Sequence, residues 1–331
     1  MRPIRFAQIE PTTRCNYVCG FCAGRHMPQR DLAWEDFERF LATHPDLRHV
    51  ELQGEGEPLL HPRFFDMIAA CHARDIAVGL ITNGSLLGEA VVDRLLDAGV
   101  RSIHISMESA DPERFRRIRG GRFEKVEAGL RLLVRRRAER GLDQPAIGLA
   151  VTVLRDTLDD VGGIWCFYRD LGLDGGIVVQ PLQGMAAYRR HYDAGMARQL
   201  LSAADAQRFQ ALRRAVTQAA PVPGHEAFFY FALFAGFDPA KGSCPWLERG
   251  AYLASDGSIA GCCFMKDAGD RLGHVATDTP AATAGRRAAL AAQLDAGDVP
   301  GACAGCSTAR AVAAARRPGI SRAPPEPPPL R

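Results

Sequence analysis

Nothing in the 331 residues offers a membrane span: no apolar run approaches the roughly 18 to 20 residues that crossing a bilayer needs. No basic, apolar, small-residue leader precedes RPIRFAQIEPTTRC, so the chain is expected to be cytoplasmic. Charge imbalance is missing too. Lys plus Arg number 41 against 38 Asp plus Glu, a formal +3, far from the basic stripe of a nucleic-acid binder. The stretches RFRRIRGGRF and RRRAER read as solvated faces, and no internal repeat is present. Neither nucleic acid nor membrane is therefore expected as a partner. What the chain has in quantity is core and cysteine. Its composition is 47% hydrophobic, enough for one large domain or for one plus an appendage. In a reducing compartment its ten cysteines are poor disulfide candidates, and clustered spacings point to metal or redox chemistry.

The N-terminal half alternates short β-rich runs with helical patterns, the signature of parallel βα units. Strands are expected at 4–10, 49–54, 76–82, 102–107, 146–153 and 176–181, with amphipathic helices such as AWEDFERFLATH and RFFDMIAACHAR between them. The motifs of interest fall just after strand C-termini, where parallel α/β architectures place their sites. Residues 183–241 read as a helical connector whose aromatic-dense end, FFYFALFAGF at 228–237, reads as buried packing. Cysteines return over 242–310, and a proline-rich tail over 311–331 is expected to be disordered.

Just after the first strand, CNYVCGFC places Cys15, Cys19 and Cys22 as C-x3-C-x2-C. Three thiolates can hold an iron–sulfur cluster while leaving one iron open, whereas fully protein-ligated clusters use four. A zinc site borrowing a distant fourth ligand is the alternative. The spacing, with Phe21 before the third cysteine, resembles the radical S-adenosylmethionine (SAM) superfamily, and the likeness runs from residue 4 to about 182. It implies a partial (β/α)6 TIM-like barrel over 1–182. It also implies that Cys15, Cys19 and Cys22 ligate a 4Fe-4S cluster whose fourth iron takes SAM, with Phe21 near the adenine.

QGEGEPLLHP resembles the family's Gly-Gly-Glu-Pro motif, with Gly54, Gly56, Glu57 and Pro58 in the segment that receives SAM and Glu55 standing where a glycine is usual. Glycines there would let backbone carbonyls approach a ligand. TNG ends the third strand with Asn83, SMES ends the fourth with Ser106 and Glu108, and IRGG supplies Arg119. The resemblance makes all four candidate SAM contacts.

CPWLERGAYLASDGSIAGCC places Cys244, Gly257 and Cys262 as C-x12-G-x4-C, and CAGC adds Cys303 and Cys306. This resembles the shortened SPASM, or twitch, extension of some radical SAM enzymes, a β-hairpin plus helix expected at 242–310. The likeness implies that these four cysteines fully ligate one auxiliary 4Fe-4S cluster, with His274 in place of an asparagine; a four-cysteine zinc site is the alternative. Cys71 and Cys166 read as buried small hydrophobes. Cys263, beside a ligand, is a candidate hydrogen-atom donor or a packed hairpin residue, and with Glu108 it completes the catalytic candidates.

The resemblance implies reductive cleavage of SAM to a 5′-deoxyadenosyl radical that abstracts hydrogen from an unactivated C–H, with an electron donor such as flavodoxin or ferredoxin. The favoured reaction is two-electron oxidation, or related C–H functionalisation, of a small specialised metabolite such as a sugar or aminocyclitol, with the auxiliary cluster as electron acceptor. The alternative is crosslinking or epimerisation of a ribosomally made peptide. Arg155, Tyr188 and His191 are further polar candidates for substrate contact.

Overall fold

The computed structural model describes residues 3–219, 233–234 and 236–316. Most of the aromatic-dense run at 228–237, and the proline-rich tail from 317 onward, lie outside them. Six parallel strands form where the β-branched runs predict them: β1 (Phe6–Ile9), β2 (His49–Leu52), β3 (Ala77–Thr82), β4 (Ser102–Ser106), β5 (Ala146–Val153) and β6 (Ile177–Pro181). Runs such as VGLIT in β3 are buried residue after residue, as strands covered on both faces must be. Helices α1 (Trp34–Thr43), α2 (Phe64–His72), α3 (Glu89–Asp97), α4 (Pro112–Arg119), α5 (Phe123–Glu139) and α6 (Val161–Asp170) connect them. Phe37, Phe40, Phe64 and Phe115 from these helices are at most 1% exposed, each contributing about 1.5–3 kcal/mol of hydrophobic stabilisation.

Past β6 come two single-turn helices, α7 (Ala186–Arg189) and α8 (Ala194–Ala197), then α9 (Ala203–Ala219). The cysteine-rich part contributes α10 (Pro245–Arg249), strands β7 (Gly250–Leu253), β8 (Ser258–Ala260) and β9 (Gly273–His274), and helices α11 (Pro280–Asp295) and α12 (Ser307–Arg316). It does not stand apart from the barrel. Strand β7 pairs parallel with β1, Phe6 opposite Gly250, and β8 and β9 follow antiparallel, so one nine-stranded sheet runs β6-β5-β4-β3-β2-β1-β7-β8-β9. The first strand is thus central and carries the cysteine loop between two covered neighbours.

The hairpin between β7 and β8 turns at Gly257, whose φ of +79° is left-handed and suits only glycine without strain. Under this hairpin a second apolar cluster gathers Leu247, Tyr252, Met265, Leu294 and Val312. Two expectations need correction. Helix α12 continues to Arg316, so ordered chain extends six residues into the segment read as tail, because Ala309, Val312 and Ala313 bury one face against that cluster. Cys166 is exposed rather than buried: it occupies the solvent side of α6, whose Val161, Ile164 and Tyr168 face the core.

Candidate active site

The loop leaving β1 folds back on itself so that Cys15, Cys19 and Cys22 converge, near enough that charge on one thiol disfavours charge on the next. Burial first, and neighbouring acids after it, push these thiols up, Cys19 to about 11. Metal binding here would therefore release protons. The backbone N–H of Tyr17 and the side-chain amide of Asn83 both donate to Cys15 Sγ, at 3.4 and 3.7 Å. Asn83 also donates to Asn16 Oδ1 at 2.9 Å, so the end of β3 grips the cysteine loop directly.

Two buried carboxylates anchor this arrangement. Glu57 is 1% exposed and accepts from Thr82 Oγ1 (2.6 Å), the Asn83 backbone (2.7 Å) and the Leu59 backbone (3.3 Å). Burial raises its pKa against the opposing pull of these bonds. Glu10, at the end of β1 and fully buried, accepts from Glu55 N–H at 2.8 Å and from Ser255 N–H and Oγ–H at 3.1 and 3.0 Å. It ties the cysteine loop's strand to the β2 loop and to the distal hairpin together. The glycines of QGEGEP make room for this packing. A Cβ on Gly54 would enter the Glu10 side chain, and one on Gly56 would enter the carbonyls of Thr12 and Arg14.

Arg119 and Glu108 meet as a bidentate pair, 7% and 1% exposed, with Arg119 Nη2 donating to Glu108 Oε1 at 2.8 Å. Burial opposes the guanidinium charge, but Glu108 and the nearby Cys19 and Cys15 hold it fully protonated. This cation beside the thiols favours negative charge on them. Pro58 and Asn83 are buried close by, Phe21 packs half-buried against the core, and Ser106 sits half-buried at the end of β4.

Glu55, where the resembling motif has glycine, does something the sequence did not reveal. Its carboxylate accepts from Lys266 Nζ at 3.0 Å and Tyr188 Oη at 3.1 Å, while Cys22 Sγ lies 3.6 Å from its other oxygen. Lys266 Nζ also donates to Tyr252 Oη at 3.0 Å. Burial alone would neutralise both partners, yet Lys266 pulls the Glu55 pKa below its ordinary value, and Glu55 and Tyr252 hold Lys266 well above its own. The pair stays ionised. It joins the loop of Cys22 to the segment that follows Cys262, and an apolar seam of Ala23, Met185 and Tyr188, with Phe264 and Cys306 against it, runs alongside.

Cys244, Cys262, Cys303 and Cys306 line one pocket of about 450 Å³, counting its open mouth, walled by Met185, Trp246, Leu247, Phe264 and Met265. Burial pushes Cys244 up to about 11 and Cys303 to about 12. Among the described residues no three His, Cys, Asp or Glu side chains, the loop thiols included, are spaced as the ligands of a single metal ion. Four thiols framing an apolar hollow supply the number of ligands that a fully protein-ligated iron–sulfur cluster, or a structural zinc ion, uses. Cys263 is not in the pocket wall; burial raises it to about 12, and its electrostatic neighbours are Lys266 and Glu55. His274 Nε2 binds the Asp256 carbonyl at 2.7 Å and so closes the β7–β8 hairpin. Arg155 is spent on Asp205 at the surface, and His191 stacks on His26 at 4.5 Å between ring centroids.

Of the residues sequence reasoning missed, Lys266 carried a signal: it is one of three lysines in a chain whose other basic residues are arginines. Glu10 carried a weaker one, a carboxylate ending a largely apolar strand. Tyr252 and Ser255 carried none, since only strand pairing brings them to the barrel.

The partial barrel thus carries three thiols on the loop after its first strand, and the distal hairpin that joins the same sheet carries a four-thiol hollow. Residues 9–161 match the Radical SAM superfamily and form a radical SAM domain. The chain is 29% identical over 181 residues to the tungsten-containing aldehyde ferredoxin oxidoreductase cofactor-modifying protein of Pyrococcus furiosus, covering 53% of this chain and 51% of that one. Over 141 residues it is 34% identical to the GTP 3′,8-cyclase of Paracoccus denitrificans, covering 39% and 40%. The chain thus spans about half the length, or less, of these curated relatives. The fold is shared with native anSMEcpe with bound AdoMet, at TM-score 0.65 and 18% identity over 93% of this chain and 88% of that one. With a Cp18Cys peptide also bound, the same protein gives 0.62. No described helix is long and apolar enough to cross a membrane.

Proposed function

We propose that this chain cleaves SAM reductively and uses the resulting radical to functionalise a C–H bond, with an auxiliary cluster held at the distal thiols. The observation that supports it most is the pairing of an open three-thiol loop with a closed four-thiol hollow across the Glu55–Lys266 pair. Cys15, Cys19 and Cys22 would hold the first 4Fe-4S cluster, and Cys244, Cys262, Cys303 and Cys306 the second, in a twitch-like segment over 242–310. When bound, the first cluster and SAM together supply one-electron cleavage to methionine and a 5′-deoxyadenosyl radical.

The chain's own residues bind, orient and neutralise. Asn83 fixes Cys15, and Glu57 fixes Asn83. Arg119, steadied by Glu108, presents a fixed cation beside the loop thiols. Phe21, the backbone of Gly54–Pro58, Asn83, Ser106, Glu108 and Arg119 form the SAM-binding side. Because Arg119 is already paired, a ligand carboxylate would share it with Glu108 rather than find it free. A closed distal cluster suits electron transfer better than ligand activation, since no iron is left open. That favours two-electron oxidation of a small metabolite such as a sugar or aminocyclitol, for which a group held by the distal thiols would supply an electron acceptor.

The second reading is a peptide maturase. Its support is the fold shared with a protein that binds a peptide, together with the half-exposed face around His191. The test is iron and sulfide analysis with absorption spectra after anaerobic reconstitution, then 5′-deoxyadenosine formation with dithionite and SAM. About eight irons in wild type, about four in Cys15→Ala/Cys19→Ala/Cys22→Ala, and deoxyadenosine from wild type alone are expected. Zinc at either site, or about four irons in wild type, would overturn the two-cluster reading.

A further inference from the structure

Residues 261–267, which follow β8, belong to no helix or strand. Three of them in a row connect two places. Phe264 lines the distal hollow and meets Tyr188 edge-on, 6.2 Å between ring centroids. Met265 lines the hollow as well, its N–H donating to the Cys262 carbonyl at 3.2 Å, and Lys266 then reaches away to Glu55. The start of α7 repeats the arrangement. Met185 lines the hollow, and Tyr188, one turn on, donates to Glu55. The backbone of Met185 lies against the turn between Cys303 and Cys306, where a Cβ on Gly305 would come within 3.4 Å of its Cα. Both groups that grip the Glu55 side chain are thus carried by segments that wall the distal hollow.

Glu55 bears in turn on the first cysteine loop. Cys22 Sγ–H donates to its backbone carbonyl at 3.5 Å and lies 3.6 Å from its carboxylate. Gly24, two residues past Cys22, has no room for a side chain, since a Cβ there would come within 2.7 Å of Glu55 Cβ and 2.8 Å of its carbonyl oxygen. From the other side Glu10 fixes the Glu55 N–H at 2.8 Å. A displacement of Glu55 is therefore a displacement of Cys22. A glycine at this position would offer no side chain to grip.

We infer that Glu55, gripped by Lys266 and Tyr188, couples the two cysteine sets, so that filling the distal hollow strengthens metal binding by Cys15, Cys19 and Cys22; this rests on the reading that both sets hold clusters. Glu55 is a positioning residue, acting through Cys22. A group in the hollow gives Met185, Phe264 and Met265 a fixed surface to pack on, which holds Tyr188 and Lys266 against Glu55. Without that surface, a segment lacking any helix or strand hydrogen bonding lets Lys266 withdraw at little cost. Coupling between two sites typically changes affinity about 5- to 150-fold, and it runs in both directions.

The test loads the chain anaerobically with iron and sulfide, challenges it with a ferrous chelator, and follows alkylation of each cysteine by peptide mass spectrometry, which reads the two sets separately. Wild type is compared with Cys303→Ala/Cys306→Ala, and each again in a Glu55→Gln/Lys266→Met background that removes both charges together. Emptying the distal site is expected to speed exposure of Cys15, Cys19 and Cys22 about tenfold. In the pairless background the same two alanines should change the loop rate less than about twofold. Equal loop rates with and without the distal ligands would overturn the coupling, as would an acceleration of the same size in both backgrounds. If the distal double variant does not fold, the reverse arm decides. Cys15→Ala/Cys19→Ala/Cys22→Ala should speed alkylation of Cys244 and Cys262 when the pair is present and not when it is removed; any other pattern would overturn the inference. A loaded wild type in which either set is as reactive as in the metal-free chain would overturn the two-cluster reading, and this inference with it.

Discussion

Single residues decide this site by what they deny to one another. Glu55 and Lys266 are a buried ion pair, 13% and 8% exposed at the side chain, and among the described residues neither has an alternative partner of opposite charge within hydrogen-bonding distance. Removing one partner strands the other charge, which typically costs 3–5 kcal/mol, whereas replacing both costs far less. Lys266→Met is therefore expected to lose about 3 kcal/mol in urea denaturation, and adding Glu55→Gln to recover more than half of it. Additive losses would show that the pair is not coupled. Gly56 belongs to the same scale. Ala there would collide with the carbonyls of Thr12 and Arg14, so Gly56→Ala should displace the cysteine loop. The readout is bound iron: about half the wild-type content is expected, from loss at the loop alone, while Gly88→Ala, at a glycine with open space around it, should bind as wild type does.

Among elements, the distal hairpin is the one whose placement carries most. Strand β7 closes on β1, and Ser255 in its turn is held by Glu10 of β1. Gly257 makes that turn possible: it needs a left-handed φ, and a Cβ would come within 2.7 Å of Asp36 Oδ2 and of the His274 ring. Gly257→Ala should cost about 1–2 kcal/mol from backbone conformation alone and more from the clash. Hydrogen exchange should locate the loss, with protection falling in β7, β8 and β9 before β3 and β4. Uniform loss across the sheet would mean that the hairpin and barrel unfold as one unit. Helix α4 makes the complementary point. Asp111 accepts from Arg114 N–H at 2.7 Å, Pro112 opens the helix and Gly120 ends it, so local capping delivers its C-terminal turn to the cysteine loop.

At the scale of the whole molecule, pH acts through buried histidines. Burial pushes His49 and His104 down to about 4, so both are neutral in the folded chain at neutral pH. Unfolded, they titrate near 6.5. Between those values the unfolded state binds more protons than the folded one, so stability present above about 6.5 is lost as pH falls toward 4. The expected loss is on the order of 2 kcal/mol for each by pH 5. Glu57, whose folded pKa is raised, works the other way at the acid end. Denaturant midpoints at pH 7 and pH 5 check this: a lower midpoint at pH 5 with an unchanged slope is expected. His49→Phe, which keeps a ring against Phe6, should remove its share. An equal midpoint at both pH values would contradict the burial argument.

Much of this protein was legible before any fold was seen, for a definite reason. Hydrophobic period and turn residues are local, so β2 to β6 appeared within a few residues of their expected bounds. Thiol spacing is local as well, and Cys15, Cys19 and Cys22 converge because a single loop carries them. What the sequence could not determine is which distant groups complete that loop. Glu10 and Ser255 lie 245 residues apart, as strand pairing alone dictates, and Glu55 meets Lys266 only because β7 docks on β1. Burial, which sets every charge state in the site, is likewise a property of the packed sheet. The sequence by itself determined the elements and the ligand-bearing loops, since those follow from nearest neighbours along the chain. Tertiary structure alone decided that the two cysteine sets share one sheet and one buried ion pair, since that needs residues far apart in sequence to exclude water together.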